Sequence, residues 1–205
     1  GAHLLFTLKT LSIWIQKEHF GINHIEPSWF IPVVGNILVP ISGVEHVHPD
    51  ISWFFFSIGL MFWIMLFTVF LYRIIFHHPL ARKRLPTFFI LIAPPAVAFI
   101  SYVRLSGELD AFARIMYSFA LFLFLLLVYQ WRMFKSAQFF ISWWAYSFPI
   151  AALTVATVFM TAYTDTSWMN ALAWGFVVLL TVVVAILAGL TLRAVSRQEI
   201  CIPEE

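Results

Sequence analysis

Charged side chains are scarce in this sequence of 205 residues. Asp, Glu, Lys and Arg make up 11% of it, against about 25% in a typical soluble domain, whereas 62% of its residues are hydrophobic. The formal net charge is only +2, and the basic residues are scattered along the chain. This pattern excludes the basic face that nucleic-acid binding requires, and it predicts that the chain's main partner is the lipid bilayer.

Cysteine is almost absent as well. The single Cys201 lies in the polar C-terminal tail, which excludes an intrachain disulfide framework, a four-cysteine metal site and a paired thiol redox centre. The segment "EHVHPD" brings Glu45, His46, His48 and Asp50 together, but it lacks a second ligand cluster and is more typical of ordinary loop histidines than of a metal site. We therefore expect no enzyme activity, no bound metal and no cofactor.

Long hydrophobic runs are what the chain has in abundance. Spanning the hydrocarbon core takes about 20 apolar residues, and six runs approach or exceed that length: residues 29–44, which is somewhat short, 51–76, 85–103, 111–131, 139–163 and 168–192. A further apolar segment, residues 3–16, is interrupted by Lys9 and resembles the end of a broken-off helix. The expected fold is an all-α integral membrane protein with a single transmembrane domain over residues 1–205.

Lysine and arginine are distributed unevenly between the connections of these runs. If the connections alternate between two sides, one side collects Lys17 and the basic residues of segments 73–84, 132–135 and 193–197. The other side has only Arg104 and Arg114, together with the acidic residues Glu45, Asp50, Glu108, Asp110 and Asp165. Positive residues favour the cytoplasmic side of a membrane. The C-terminus is therefore predicted to be cytoplasmic.

Proline occurs inside every second run. The first run contains Pro32 and Pro40, the third contains Pro94 and Pro95, and the fifth contains Pro149, whereas the other three have no interior proline. Proline kinks a helix, and small residues near a kink suit close packing or a cavity, while bulky apolar ones suit lipid. We expect helical hairpins in which proline-kinked helices form an inner ring and straight helices an outer ring.

Repeated kinks favour a central passage over kinks that merely shape packing. Each break leaves backbone carbonyls, such as those of Ile90, Leu91 and Ala145, without their usual partners, and in lipid this requires protein, local adjustment or a watery cavity. The residues predicted to kink the helices and line the passage are Pro32, Gly35, Pro40, Pro94, Pro95, Ala145, Pro149 and Ala152.

Phe148 is the candidate gate of this passage. Residues three or four apart share a helix face, so its neighbours are Trp144 and Ala145 before it and Ala151 and Ala152 after it. If this face lines the passage, the ring is its widest obstruction and has space over the alanines into which it can swing. The alternative is that Phe148 packs against a neighbouring helix, because aromatic side chains mostly fill space.

Three segments carry a resemblance to a known family. The segments "WFIPVVGNILVPISG", "LPTFFILIAPPAVAFISY" and "WWAYSFPIAALTVAT" resemble the fifth, seventh and ninth helices of the tellurite-resistance/dicarboxylate transporter family, which includes bacterial tellurite-resistance proteins and plant guard-cell slow anion channels. The resemblance implies ten helices in five hairpins around a pore, assembly as a homotrimer and location in a bacterial inner membrane. It also implies that the gating phenylalanine of the family corresponds to Phe148.

The resemblance bears on the ends of the chain too. Residues 1–17 would be the end of the fourth helix, so the chain is expected to be the C-terminal part of a ten-helix channel domain. The start of the sequence at Gly1, without a methionine or the features of a signal peptide, fits the same expectation of residues missing upstream.

Two functions follow as hypotheses. The first is passive conduction of small anions, such as chloride or nitrate, through a neutral pore gated by Phe148, because the inner helices carry no acid or base in their central turns and conduction requires weak binding. The alternative is a proton-coupled carrier or efflux transporter for C4-dicarboxylates, sulfite or tellurite. That alternative requires an ionisable group within the membrane, where the inner helices offer only the neutral Asn36 and a straight helix offers Arg114 near one end.

Overall fold

The computed structural model describes residues 1–17, 20–135 and 139–198, and the regular elements of this part of the chain are all helical. Six of its helices are long and apolar enough to cross a membrane, and we call them the first to the sixth spanning helix: Pro27–His46, Pro49–Phe76, Arg82–Ser106, Ala111–Tyr129, Ile141–Thr164 and Ser167–Ser196. An N-terminal helix, Ala2–Gln16, precedes them. Two short helices, Ile22–His24 and Trp131–Lys135, lie in connections. The predicted all-α membrane fold is confirmed, while Cys201 lies outside the described residues.

The three proline-containing helices are not uniform α-helices. Each contains 3₁₀ segments, which are Pro27–Phe30, Gly35–Leu38, Arg82–Ile92 and Ile141–Tyr146. In each helix a 3₁₀ segment changes to α-helix just before a proline, so that Pro40, Pro94 and Pro149 fall within the first turn of an α segment. Proline is tolerated there because the first N–H groups of an α-helix have no intrahelical partner.

A 3₁₀ hydrogen bond satisfies the carbonyl of Ile90, one of the three carbonyls expected to lose their usual partners. The N–H of Ala93 donates to the carbonyl of Ile90, and the N–H of Ser147 donates to the carbonyl of Trp144. The tighter i to i+3 bonding pattern therefore replaces the α-helical bond that proline removes. At Ile90, local backbone adjustment satisfies the carbonyl without a watery cavity.

The broken helices are the more buried ones, in agreement with the predicted inner and outer layers. In the most apolar 18-residue window of each helix, 44%, 67% and 44% of the residues are buried in the first, third and fifth spanning helices, against 28%, 33% and 17% in the second, fourth and sixth. The third helix packs against both the first and the fifth. The straight helices cover this layer from one side, the second on the first and third, the fourth on the third, and the sixth on the fifth.

A close backbone contact fixes the break in the first spanning helix. Gly59 of the second helix packs so tightly against it that an added Cβ would lie 2.6 Å from the backbone nitrogen of Ile37. From the third helix, the buried hydroxyl of Ser101 donates to the carbonyl of Ile37 at 2.5 Å. The 3₁₀ segment Gly35–Leu38 is thus held by both neighbouring helices.

Polar contacts tie the connections together at one end of the bundle. Arg84 forms an ion pair with Glu26 at 2.8 Å, and the hydroxyl of Ser142 donates to the carbonyl of Lys83 at 2.6 Å. The N-terminal and first spanning helices meet near the same end, where Trp14 stacks on Trp29 with 4.7 Å between ring centroids. We call this the basic end.

The opposite end carries the acidic connections. Arg104 pairs there with Glu45, and the hydroxyl of Tyr102 donates to the carboxylate of Asp110 at 2.5 Å. We call this the acidic end. The connections thus alternate between two ends as the charge pattern predicts, and which end faces the cytoplasm stays a prediction.

Candidate functional site

A cavity of about 670 Å³ lies along the three broken helices. The first spanning helix contributes most of its wall, the third contributes Ile90, Ala93, Pro94 and Val97, and the fifth contributes Ala145, Phe148 and Pro149. The N-terminal helix adds His3. Apart from this imidazole, every side chain in the wall is apolar.

The changes from 3₁₀ to α-helix are what bring the three broken helices to the cavity. Val39 and Ala93, the first residues of α segments in the first and third helices, both line it. In the fifth helix, Ala145 and Phe148 line it on either side of the change at Ser147. Small side chains at these points, including Gly35 and Ala145, leave the open space. The cavity is therefore a product of the breaks themselves.

Phe148 projects into this space. It is the second residue of the α segment Ser147–Thr164, and its side chain lines the cavity with 51% of the residue exposed. Ala145 shares the cavity with it, because residues three apart are eclipsed in the 3₁₀ geometry that ends at Tyr146. This position suits a ring that can move, while its role as a gate stays a prediction.

Two predicted neighbours of Phe148 point elsewhere. Trp144 donates its indole N–H to the hydroxyl of Thr191 in the sixth helix at 3.0 Å. Ala152 is 7% exposed, belongs to the buried core and is not part of the cavity wall. The side chain of Ala152 packs among the neighbouring helices, and its lining of the passage stays a prediction.

The predicted prolines divide into two groups. Pro94 and Pro149 line the cavity. Pro40 and Pro95 are buried between helices, and Pro32 is half-buried, so these three shape the helices without forming the wall. Gly35, by contrast, lies in the wall as expected from its small size.

His3 is the residue of the cavity that sequence reasoning missed. The N-terminal helix packs on the first spanning helix, where the hydroxyl of Thr7 donates to the carbonyl of Pro32 at 2.9 Å and accepts a hydrogen bond from Asn36 at 3.0 Å. One turn before Thr7, the His3 imidazole lies against Gly35, where an added Cβ would be 3.1 Å from its Nε2 atom. An ionisable residue inside an apolar segment is the signal that could have identified it.

The other polar candidates take no part in the cavity. Asn36 is fully buried and donates its second hydrogen bond to the carbonyl of Val33 at 2.7 Å, which makes it a link between helices. In the described part of the chain, no group of three or more His, Cys, Asp or Glu side chains is arranged to hold a metal ion. The histidines of "EHVHPD" lie at the acidic end, away from the cavity wall.

Comparison with known proteins gives a consistent result. A family model described as "SLAC1: Voltage-dependent anion channel" matches residues 1–192. The S-type anion channel SLAH2 of Arabidopsis thaliana is 30% identical over 156 residues, which cover 76% of this chain and 30% of that protein. The guard cell S-type anion channel SLAC1 of the same plant is 26% identical over 159 residues, covering 77% and 29% of the two chains.

A bacterial protein is similar over the same stretch. The tellurite resistance protein TehA homolog of Haemophilus influenzae is 30% identical over 159 residues, which cover 75% of this chain and 47% of that protein. The chain spans less than half the length of each of these three relatives.

Proposed function

The chain belongs to the SLAC1 voltage-dependent anion channel family, and from this premise we propose that it conducts small anions, such as chloride or nitrate, passively across the membrane. The observation that carries the proposal is the apolar cavity where three broken helices meet, with the ring of Phe148 projecting into it. The relatives named as S-type anion channels support the choice of ion.

The chemistry of the wall suits rapid passage better than tight binding. A fixed, buried cation would hold an anion strongly, whereas conduction needs binding that is weak enough for the ion to leave. The side chains contributed by the three broken helices are all uncharged. Such a wall offers no tight coordination cage, so the proposed channel prefers anions that lose their water easily.

Phe148 is the proposed gate of this pathway. Half of the residue is exposed, so its ring gives up few packing contacts when it changes rotamer. Ala145 and Gly35 leave space within the same cavity. The ring closes the pathway in one rotamer and opens it in another.

The test is the anion current of the protein expressed from its complete gene, recorded in a planar bilayer or in oocytes. Phe148→Ala is expected to raise the current tenfold or more, which corresponds to a barrier lowered by about 1.4 kcal/mol or more. The matched control is Phe122→Ala, because Phe122 is 55% exposed but lies on the fourth spanning helix, outside the cavity wall.

The outcomes separate the gate from the channel. Equal currents from the natural protein and Phe148→Ala would reject the gate and leave conduction intact. Anion uptake that depends on a proton gradient, with no current from either form, would reject the channel.

His3 supports a second candidate function, the proton-coupled carrier for C4-dicarboxylates, sulfite or tellurite. Such a carrier requires an ionisable group within the membrane, and the imidazole in the cavity wall is one. The reversal potential distinguishes the two functions. In a channel it follows the anion gradient and ignores pH, whereas in a coupled carrier it shifts with the proton gradient.

The proposed assembly is a homotrimer in a bacterial inner membrane, as the resemblance implies. The outward faces of the straight helices carry exposed apolar side chains, including Ile115 and Phe122 on the fourth helix and Trp174 and Val178 on the sixth. These faces suit contact with lipid or with another subunit.

A further inference from the structure

Among the described residues, His3 is the one ionisable side chain that lines the cavity. Its helix has 15 residues and is therefore about 20 Å long. The C-terminal part of this helix lies near the basic end, where Trp14 stacks on Trp29. His3, at the other extreme, consequently lies within a hydrocarbon core that is about 30 Å thick. Ionisable residues at such depth are costly and generally functional.

The surroundings of the imidazole leave one of its nitrogens without a partner. Nε2 is buried against Gly35 and has no hydrogen-bond partner among the described residues. A buried polar atom without a partner is unfavourable, and a protonated imidazole has N–H donors at both nitrogens. The site therefore has unused donor capacity toward an acceptor that enters from the cavity.

No carboxylate in the cavity wall can neutralise a charge on His3. The titratable groups of the elements packed around it lie outside that wall: Lys9 on its own helix, Glu45 and His46 on the first spanning helix, Arg82, Lys83, Arg84, Tyr102 and Arg104 on the third, and Tyr146 and Tyr163 on the fifth. Glu26, which flanks the first spanning helix, is held by Arg84 at the basic end. An anion in the cavity is thus the available counterion.

We propose that His3 is a protonation site of the cavity and that its imidazolium form binds the permeating anion. This inference rests on the proposed anion conduction and adds its regulation by pH. Histidine changes charge within the physiological pH range. When His3 is neutral, the cavity holds anions weakly. When His3 is protonated, the cavity attracts them, so acidification increases the anion occupancy of the pathway.

The size of the effect follows from the charge. A unit charge about 10 Å from an anion, at an effective dielectric constant of about 20, changes the occupancy at sub-saturating concentration roughly tenfold. The difference fades as the anion concentration approaches saturation, because occupancy cannot rise further. This dependence on concentration distinguishes anion binding from a general effect of pH on the gate.

The experiment measures chloride current at sub-saturating chloride between about pH 8 and about pH 5. It uses the protein expressed from its complete gene, with and without Phe148→Ala. The protein with histidine at position 3 should give a roughly tenfold larger chloride current near pH 5 than near pH 8. His3→Gln should lose the increase in current on acidification. The matched control is His78→Gln, because His78 is exposed and lies outside the cavity wall.

A second variant separates charge from packing. His3→Arg supplies a permanent charge and should make the current at sub-saturating chloride independent of pH. The proposal is overturned if His3→Gln responds to pH like the natural protein, or if His3→Gln and His3→Arg both abolish the current at every pH. A pH-independent current from the natural protein rejects only the role of His3, whereas no anion current from any form rejects the proposed function itself.

Discussion

Asp110 caps the fourth spanning helix at the acidic end. Its carboxylate accepts a hydrogen bond from the backbone N–H of Ala113 at 2.9 Å and another from the hydroxyl of Tyr102 at 2.5 Å. These bonds favour the charged carboxylate, so the N–H of Ala113 first and the hydroxyl of Tyr102 second lower the pKa of Asp110 below its ordinary value. One side chain thereby joins the third and fourth helices.

The lowered pKa predicts an acid-sensitive contribution to stability. Because the carboxyl group is more acidic in the folded than in the unfolded protein, its contribution is present above the unfolded pKa and is lost as the pH falls through the folded pKa. We expect Asp110→Asn to remove part of the decrease in unfolding temperature that the natural protein shows in detergent below about pH 4. Asp165→Asn, at an exposed aspartate of the same end, is the control. Identical pH profiles for the natural protein and Asp110→Asn would contradict the assignment.

The residues of the cavity differ in how far the sequence could predict them. Phe148 was identified because a bulky ring between small residues, directly before proline, is a local pattern. His3 was not identified, because its position depends on how the N-terminal helix packs on the first spanning helix. That packing is made through Thr7 and through Gly35, which has no side chain. Ala152 lies four residues after Phe148 in the same α segment but packs into the buried core, because the sequence does not show how the fifth helix is rotated against its neighbours.

At the scale of the element, bilayer thickness makes helix lengths predictable and tertiary contacts make helix type unpredictable. Each of the six predicted runs corresponds to one spanning helix, because an apolar length of about 20 residues has few other uses. The prolines indicated where the inner helices break. They did not indicate an 11-residue 3₁₀ segment at Arg82–Ile92, which exceeds the usual length of such segments, since the choice between 3₁₀ and α geometry depends on packing with neighbouring helices.

Gly59 offers a test of that packing. A Cβ at this position would lie 2.5 Å from Cγ1 of Ile37 and 2.6 Å from its backbone nitrogen, so Gly59→Ala must displace the broken first helix. We expect a loss of roughly 1–3 kcal/mol in the free energy of unfolding, as for other overpacked cores. Because Ile37 also lines the cavity, the anion current should change as well.

Gly175→Ala is the matched control for this substitution. Gly175 lies within the sixth spanning helix, where an added Cβ would meet no atom within 4 Å. Alanine there should be neutral, or stabilising by about 0.5–1 kcal/mol, because glycine is the poorer helix former. Similar losses of unfolding free energy in both variants would show that the effect is not the contact with Ile37.

At the scale of the whole molecule, the charged groups are separated from the interior that the broken helices form. The interior that the broken helices form is almost uncharged, and the charged groups are gathered at the two ends, as the pairs Arg84–Glu26 and Arg104–Glu45 illustrate. The neutral interior determines how an anion passes. The difference in charge between the two ends determines the orientation of the protein in the membrane. Positive residues are retained on the cytoplasmic side, so the basic end is predicted to face the cytoplasm.

Labelling of single cysteines tests this orientation. In a background in which Cys201 and any other cysteine of the complete gene are replaced by serine, a membrane-impermeant maleimide added to intact cells should label Glu108→Cys at the acidic end and leave His78→Cys at the basic end unlabelled. Both positions are exposed, and they differ in the side that they face. Permeabilised cells, in which both cysteines should react, control for reactivity. The reverse labelling pattern would place the basic end outside. It would also mean that the acidic end, with the carboxylates of Glu45 and Asp110, is the one that meets cytoplasmic anions.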